Sequence, residues 1–162
     1  MRPNGRAFVE QTIKEHPPSG PVYEFGSFKV PGQEQLADLR PLFQGLTYVG
    51  TDMRPGPGVD LIINLEKIPF QDNSIGTAIC IDTLEHVQDV KQAVNEMHRV
   101  LKPGGLIIIS SVMNFPIHDH PSDYWRFTPH AILWLLRDFT PSGTSFSGHP
   151  LFPIGVNGWG IK

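Results

Sequence analysis

Residues 75–105 read IGTAICIDTLEHVQDVKQAVNEMHRVLKPGG. The first seven, Ile75 to Ile81, run apolar without alternation, the pattern of a central parallel strand covered on both faces rather than of a half-exposed antiparallel one. Beyond it Val87, Val90, Val94, Met97 and Leu101 recur three and four apart, while Lys91, Asn95, Glu96 and Arg99 fall on other faces. That spacing predicts an amphipathic helix with one buried stripe. Lys102-Pro103-Gly104-Gly105 then stops it, with a cation for the terminal carbonyls, a residue that cannot continue a helix and two permissive glycines. A buried strand feeding an amphipathic helix is the repeating unit of a parallel α/β sheet.

The flanking sequence repeats the unit. Leu106 to Ile109 is a further central strand, and upstream lie Val22-Tyr23-Glu24-Phe25 closed by Gly26, Thr47 to Gly50 ending in Thr51-Asp52, and Leu61-Ile62-Ile63. A weak helical pattern over Phe8 to Glu15 ends at His16-Pro17-Pro18-Ser19-Gly20-Pro21, which no helix could absorb. A second helix should carry Leu36, Leu39, Leu42 and Phe43. A third should open at Thr128-Pro129, a cap followed by a proline at the first helical position, and bury Ile132, Leu135, Leu136 and Phe139. Alternating strands and helices predict an α/β fold with a doubly wound, mostly parallel sheet, whose ligands bind beyond the carboxyl ends of the strands. A length of 162 residues suits one domain over 1–162.

Composition narrows the function. Thirteen basic against 16 acidic residues give a net charge of −3, which offers no electrostatic footprint for nucleic acid or anionic lipid. The longest apolar runs fall far short of the ~20 residues that span a bilayer, and Met1 to Glu10 has no apolar signal segment, so the expected location is cytoplasmic. Cys80, the single cysteine, sits inside an apolar strand and reads as core.

Two positions point to a ligand. Glu24-Phe25-Gly26 ends the first strand, where a glycine lets backbone amides approach an anionic group; a glycine needed only for the turn would look the same. Asp52 ends the second strand about 26 residues after Gly26, where a nucleotide-binding sheet places the acid that accepts from ribose hydroxyls.

Three segments carry a resemblance: Asn64-Leu65-Glu66-Lys67-Ile68-Pro69-Phe70-Gln71-Asp72-Asn73-Ser74, Ile81-Asp82-Thr83-Leu84-Glu85-His86-Val87, and His98-Arg99-Val100-Leu101-Lys102-Pro103-Gly104-Gly105. In this order, across about Val22 to Phe139, the chain resembles class I S-adenosylmethionine-dependent methyltransferases of the type-11 group, which have a Rossmann-like fold. The resemblance implies S-adenosylmethionine as cofactor, with Glu24 and Gly26 at its amino-acid end and Asp52 on the ribose. It also implies Met53 and Leu65 on the adenine faces, Asn64 at the adenine amino group, and Ile81 with Asp82 near the methionine part. A zwitterion, a diol and a flat base demand polar partners, an acceptor and apolar faces respectively.

The chain departs from that pattern twice. Gly26 is followed by Ser27, Phe28, Lys29 and Val30 in place of further glycines, so the first loop must take another shape, and Phe28 stands to crowd the methionine tail. At the far end only Thr140 to Lys162 remain for an antiparallel pair of strands, Gly143 to Gly148 with Ile154 to Ile161, which predicts an abbreviated C-terminal end.

His118-Asp119-His120-Pro121-Ser122-Asp123-Tyr124-Trp125-Arg126-Phe127-Thr128 follows the fifth strand and is the most chemically loaded stretch. In one reading His118 or His120 takes a proton from an acceptor while Tyr124, Trp125 and Arg126 orient it. In another, His118 and His120 with Asp119 or Asp123 hold a metal, but two histidines two apart without a third neutral ligand make a weak signature, and no metal is expected. In a third, Asp123 pairs with Arg126 and the aromatics plug the core under a loop. His86 and His98 are expected to be structural.

The functions compatible with these residues are methyl transfer to an O or N atom of a small molecule, or a catalytically silent cofactor-binding or regulatory module of the same fold. A nicotinamide-dependent oxidoreductase stands well behind, for want of G-x-G-x-x-G spacing. The partners implied are a small-molecule acceptor and, with a sheet edge near the C-terminus to complete, a second copy of the chain.

Overall fold

The computed structural model describes residues 2–118 and 121–162. Seven strands form one sheet in the order β3-β2-β1-β4-β5-β7-β6. They are β1 (Val22–Phe25), β2 (Tyr48–Asp52), β3 (Leu61–Ile62), β4 (Ile75–Ile81), β5 (Leu101–Val112), β6 (Ser142–His149) and β7 (Phe152–Ile161). The first five are mutually parallel, while β7 runs antiparallel to both β5 and β6. From β1 the chain builds outward through β2 and β3, then returns to lay β4 and β5 on the other side, so the strand order reverses between β1 and β4. Four helices accompany the sheet: α1 (Pro3–Glu15), α2 (Glu34–Ala37), α3 (Val90–Val100) and α4 (Pro129–Leu135). None of the described helices is long and apolar enough to cross a membrane.

Every residue of β4 is buried, as its continuous apolar run predicts. Strand alternation divides the two central strands between two cores. Ala78, Cys80, Ile107 and Ile109 pack with Met97 of α3 and Ile132 of α4, while Ile79, Ile81, Leu106 and Ile108 face Val9 of α1 with Leu39 and Phe43. Cys80 is wholly buried among them, and burial pushes its thiol well above the usual range.

Helix α3 starts at Asp89, whose carboxylate accepts from Gln92 N at 2.9 Å, and turns Val90, Ala93, Val94, Met97 and Val100 inward. Its last turn also anchors the loop after β3. Arg99 donates to the Ile68 and Phe70 carbonyls, each at 2.8 Å, and Glu96 accepts from Ile68 N at 2.9 Å. Two of the three segments that carry the resemblance are therefore one hydrogen-bonded unit. Helix α4 opens as expected, with Thr128 accepting from Ala131 N at 3.1 Å and Ile132, Leu135, Leu136 and Phe139 buried.

Three elements differ from the sequence reading. The helix expected over Leu36 to Phe43 is a four-residue α2 and a separate 3-10 turn, Arg40–Phe43, because Pro41 has no N–H and its ring would meet the Ala37 carbonyl. The carbonyls freed at the end of α2 are satisfied by Arg6, which donates to Leu36 O at 3.2 Å and Asp38 O at 2.6 Å. The Lys102 to Gly105 segment does end α3, but it also enters β5 through a register shift opposite Ile75–Thr77. The C-terminal pair, expected in abbreviated form, has strands of eight and ten residues. Gly158 of β7 permits α4 to dock there, since a Cβ at that position would fall 2.4 Å from Ile132 Cγ2.

Candidate functional site

A cavity of about 680 Å³ opens at the carboxyl ends of β1, β2, β4 and β5, where the strand order reverses. All eight residues expected at a cofactor line it: Glu24, Gly26, Asp52, Met53, Asn64, Leu65, Ile81 and Asp82. The volume lies inside the range of small-molecule sites.

Glu24 is buried on β1 and accepts a hydrogen bond from the Tyr48 hydroxyl at 2.6 Å. Burial outweighs that bond and pushes its carboxyl up to about 7. At the turn after β1, Gly26 has φ +87°, and a Cβ there would lie 2.0 Å from Thr83 Oγ1. The glycine is required twice, by its backbone conformation and by the approach of the turn after β4. The amides of Gly26 and Ser27 both donate to Thr51 O, at 2.7 and 2.9 Å. The expectation that amides of this turn face an anionic ligand is therefore corrected: the second strand takes both.

Another cation stands at this end of the cavity. Arg2, at the start of α1, lays its guanidinium on Asp82, with Nη2 2.6 Å from Oδ1 and Nε 3.2 Å from both carboxylate oxygens, while its amide donates to Oδ2 at 2.9 Å. Nη2 also donates to Ser111 O at 2.9 Å, and Nη1 is buried with no partner among the described residues. Burial pulls the Asp82 carboxyl upward, but the Arg2 bonds and charge prevail and hold it below its usual value. Arg2 carries no signal in the sequence: it is a lone arginine 80 residues from its partner, and no spacing rule selects it.

At the other corner Asp52 Oδ1 accepts from Arg54 N at 3.0 Å and Nε at 3.3 Å. The Arg54 guanidinium lies 4.5 Å from the centre of the Phe28 ring, which also packs over Gly56. Phe28 is thus drawn to the loop after β2, beside Asp52, and forms an aromatic part of the cavity wall there. Met53 is 66% exposed and so takes no part in the core, whereas Leu65 is buried. Asn64 accepts from Glu66 N at 2.8 Å, which fixes its side chain at the rim.

The loop after β5 is docked on the turn after β4. Tyr124 N donates to Glu85 O at 2.8 Å, Gln88 Nε2 to the Tyr124 hydroxyl at 3.0 Å, and Trp125 Nε1 to Val87 O at 2.8 Å. Tyr124 and His118 line the cavity, but Trp125 and Arg126 do not. Arg126 instead forks onto Asp123 at 2.5 and 2.7 Å and caps the Phe115 and Pro116 carbonyls. Its guanidinium holds the Asp123 carboxyl well below the usual carboxylate range. The substrate role expected for Trp125 and Arg126 gives way here to bracing of the loop. His120 and Asp119 lie outside the described residues.

Glu85, His86 and His118 come together at this side of the cavity, a convergence the sequence reading did not anticipate. Glu85 is 1% exposed, and burial, with the charge of Asp82, pushes its carboxyl up to about 7.

Comparison with known proteins agrees with this geometry. Residues 38–109 match the family model described as a methyltransferase domain. That match spans 72 of the 162 residues. The seven-stranded sheet, reversing between β1 and β4, has the fold of class I methyltransferases. The ubiquinone/menaquinone biosynthesis C-methyltransferase UbiE of Haemophilus ducreyi is 34% identical over 107 residues, covering 63% of this chain and 40% of that protein. The chain thus spans well under half the length of this curated relative. Among solved structures, the 1,6-didemethyltoxoflavin-N1-methyltransferase of Burkholderia thailandensis, bound to 1,6-didemethyltoxoflavin and S-adenosylhomocysteine, superposes with a TM-score of 0.69 at 15% identity, covering 98% of this chain and 76% of that one. A methyltransferase of Archaeoglobus fulgidus superposes at 0.70 with 11% identity, covering 97% and 94%. At such identities the superpositions show the fold alone and leave an acceptor to be inferred from the cavity.

Proposed function

We propose that this chain, as one domain over residues 1–162, transfers the methyl group of S-adenosylmethionine to an O or N atom of a small molecule. The observation that carries the reading is the chemistry that one cavity gathers: carboxylates and a guanidinium, an acid at the end of β2, and apolar faces beside a polar side chain. That set matches the parts of the cofactor. Glu24 and Asp82 would hold the ammonium, with the Gly26 turn beside them. Arg2, which lines the cavity, would take the carboxylate. Asp52 would accept from the ribose hydroxyls, Met53 and Leu65 would cover the adenine faces, and Asn64 would meet its amino group. Ile81 would back the methionine chain.

When bound, the cofactor supplies an electrophilic methyl carbon on a sulfonium sulfur. What remains for the protein is to align the acceptor and exclude water, from which most of the rate can come. Tyr124 would orient the acceptor, and His118, with His120 two residues on, would receive its proton as the new bond forms. The buried thiol of Cys80 fits a reducing, cytoplasmic setting. A second copy of the chain would pair at the open edge of β6, and light scattering would then give about twice the 18.1 kDa of one chain.

The test is transfer of a labelled methyl group to a panel of small hydroxyl- and amine-bearing acceptors, with production of S-adenosylhomocysteine followed in parallel. Stoichiometric product and label on one acceptor class support the reading. Cofactor binding without transfer to any acceptor would favour the silent module instead.

A further inference from the structure

The turn after β4 and the loop after β5 bring together three groups of metal-ligating chemistry. One ligand atom from each of Glu85, His86 and His118 lies within 4.8 Å of the others. Bonds around the cluster set the state of each group. His86 Nδ1 lies 2.6 Å from Ser122 O, and a carbonyl oxygen cannot donate, so Nδ1 carries the hydrogen. In the neutral ring the lone pair is then on Nε2. His118 Nδ1 lies 3.1 Å from both Pro116 O and the Asp123 carboxylate, which fixes the same tautomer. A carboxylate or carbonyl behind each imidazole is the arrangement that orients histidine ligands and raises their basicity. Glu85 is fixed through Oε2, which accepts from Ser111 Oγ at 2.7 Å. Its other oxygen, Oε1, is buried with no hydrogen-bond partner among the described residues, a costly state for a carboxylate that a cation would relieve.

We propose that Glu85, His86 and His118 form a binding site for a divalent transition-metal ion at the acceptor side of the cavity. Two imidazoles and one carboxylate leave coordination positions for an outside ligand and favour Zn²⁺ or Mn²⁺ over the harder Mg²⁺. Ligand atoms about 2.1 Å from a tetrahedral zinc stand about 3.4 Å apart, so the triangle contracts modestly when the ion binds. All three residues line the cavity, so the open positions face its interior. An acceptor hydroxyl or amine bound there becomes more acidic, and His118 serves as a ligand in place of a base. That role rests on the methyl-transfer reading, whereas the binding itself does not.

The experiment titrates the chelator-treated protein with Zn²⁺, Mn²⁺ and Mg²⁺ by calorimetry, for the wild type, Glu85→Gln and His118→Ala, with circular dichroism confirming that each is folded. The expected result is one equivalent of Zn²⁺ or Mn²⁺ on the wild type and at least about tenfold weaker binding in both variants. His118→Ala lies on a loop and keeps the test decisive if Glu85→Gln fails to fold. Absence of stoichiometric binding, binding of Mg²⁺ alone, or affinity unchanged by His118→Ala overturns the site. Ion binding in a protein that takes up no S-adenosylhomocysteine would leave the metal site standing and remove the methyl-transfer reading.

Discussion

Arg2 Nη2 lies 2.6 Å from Asp82 Oδ1, both side chains being largely buried, so the start of α1 is tied to the end of β4 in the wall of the cavity. If Arg2 also receives the cofactor carboxylate, Arg2→Ala should raise the dissociation constant of S-adenosylhomocysteine about tenfold, the loss of one charge-assisted bond. It should lower the melting temperature too, because a buried carboxylate loses its partner. Tighter binding in the variant would instead make Arg2 a plug.

Glu24 gives the site a pH dependence. Its carboxyl titrates near 7 in the fold because burial outweighs the Tyr48 hydrogen bond and the charges of Arg40 and Lys29, with Asp38 adding repulsion. A folded value above the unfolded one means that the free protein holds the associated stability below about pH 4.5 and loses it as the pH rises through 7. An ammonium ligand needs the ionised form, so cofactor affinity should fall about tenfold between pH 7 and pH 5.5. Glu24→Gln should abolish that slope, and a wild-type affinity flat over this window would contradict the assignment.

At the turn after β1, Gly26→Ala should cost more than about 2 kcal/mol in urea denaturation, from the positive φ and the collision with Thr83. In a Thr83→Gly background much of that cost should disappear, since the contact is removed and the backbone strain alone remains. Equal costs in the two backgrounds would mean that the approach of the β4 turn is not what demands the glycine.

Asp52→Ala should weaken cofactor binding by about 1–3 kcal/mol if its carboxylate accepts from the ribose. Arg54→Ala breaks the same Asp52–Arg54 contact without removing the acceptor and should weaken binding less. Calorimetry on the two variants separates the roles, and an unchanged affinity in Asp52→Ala would exclude the ribose contact.

For Arg126 the structure favours bracing over substrate contact. Arg126→Lys loses the fork onto Asp123 and should lower the melting temperature by a few degrees. A variant that melts normally but turns over acceptor poorly would return Arg126 to the substrate.

What the sequence revealed followed from local physics. Strands β4 and β5 were legible because burial on both faces leaves unbroken apolar runs, and α3 because its stripe, cap and stop agree. The residues that the resemblance implied for a cofactor line one cavity because they lie at or just beyond strand ends, which the fold gathers into one place. Pro41 was visible, yet the leucine spacing outweighed it in the reading of α2. The length of β6 and β7 was understated because Gly143, Gly148, Gly155, Gly158 and Gly160 carry no strand propensity. Arg2 with Asp82, and Glu85 and His86 with His118, meet only through sheet topology, with separations that no local pattern encodes.

Calorimetric titration of the purified protein with S-adenosylmethionine and S-adenosylhomocysteine, with NAD as control, shows whether the cavity holds this cofactor. Micromolar binding of the first two at one equivalent, and none of NAD, is expected. No binding of either, or binding of NAD in their place, would rule out methyl transfer from this cavity.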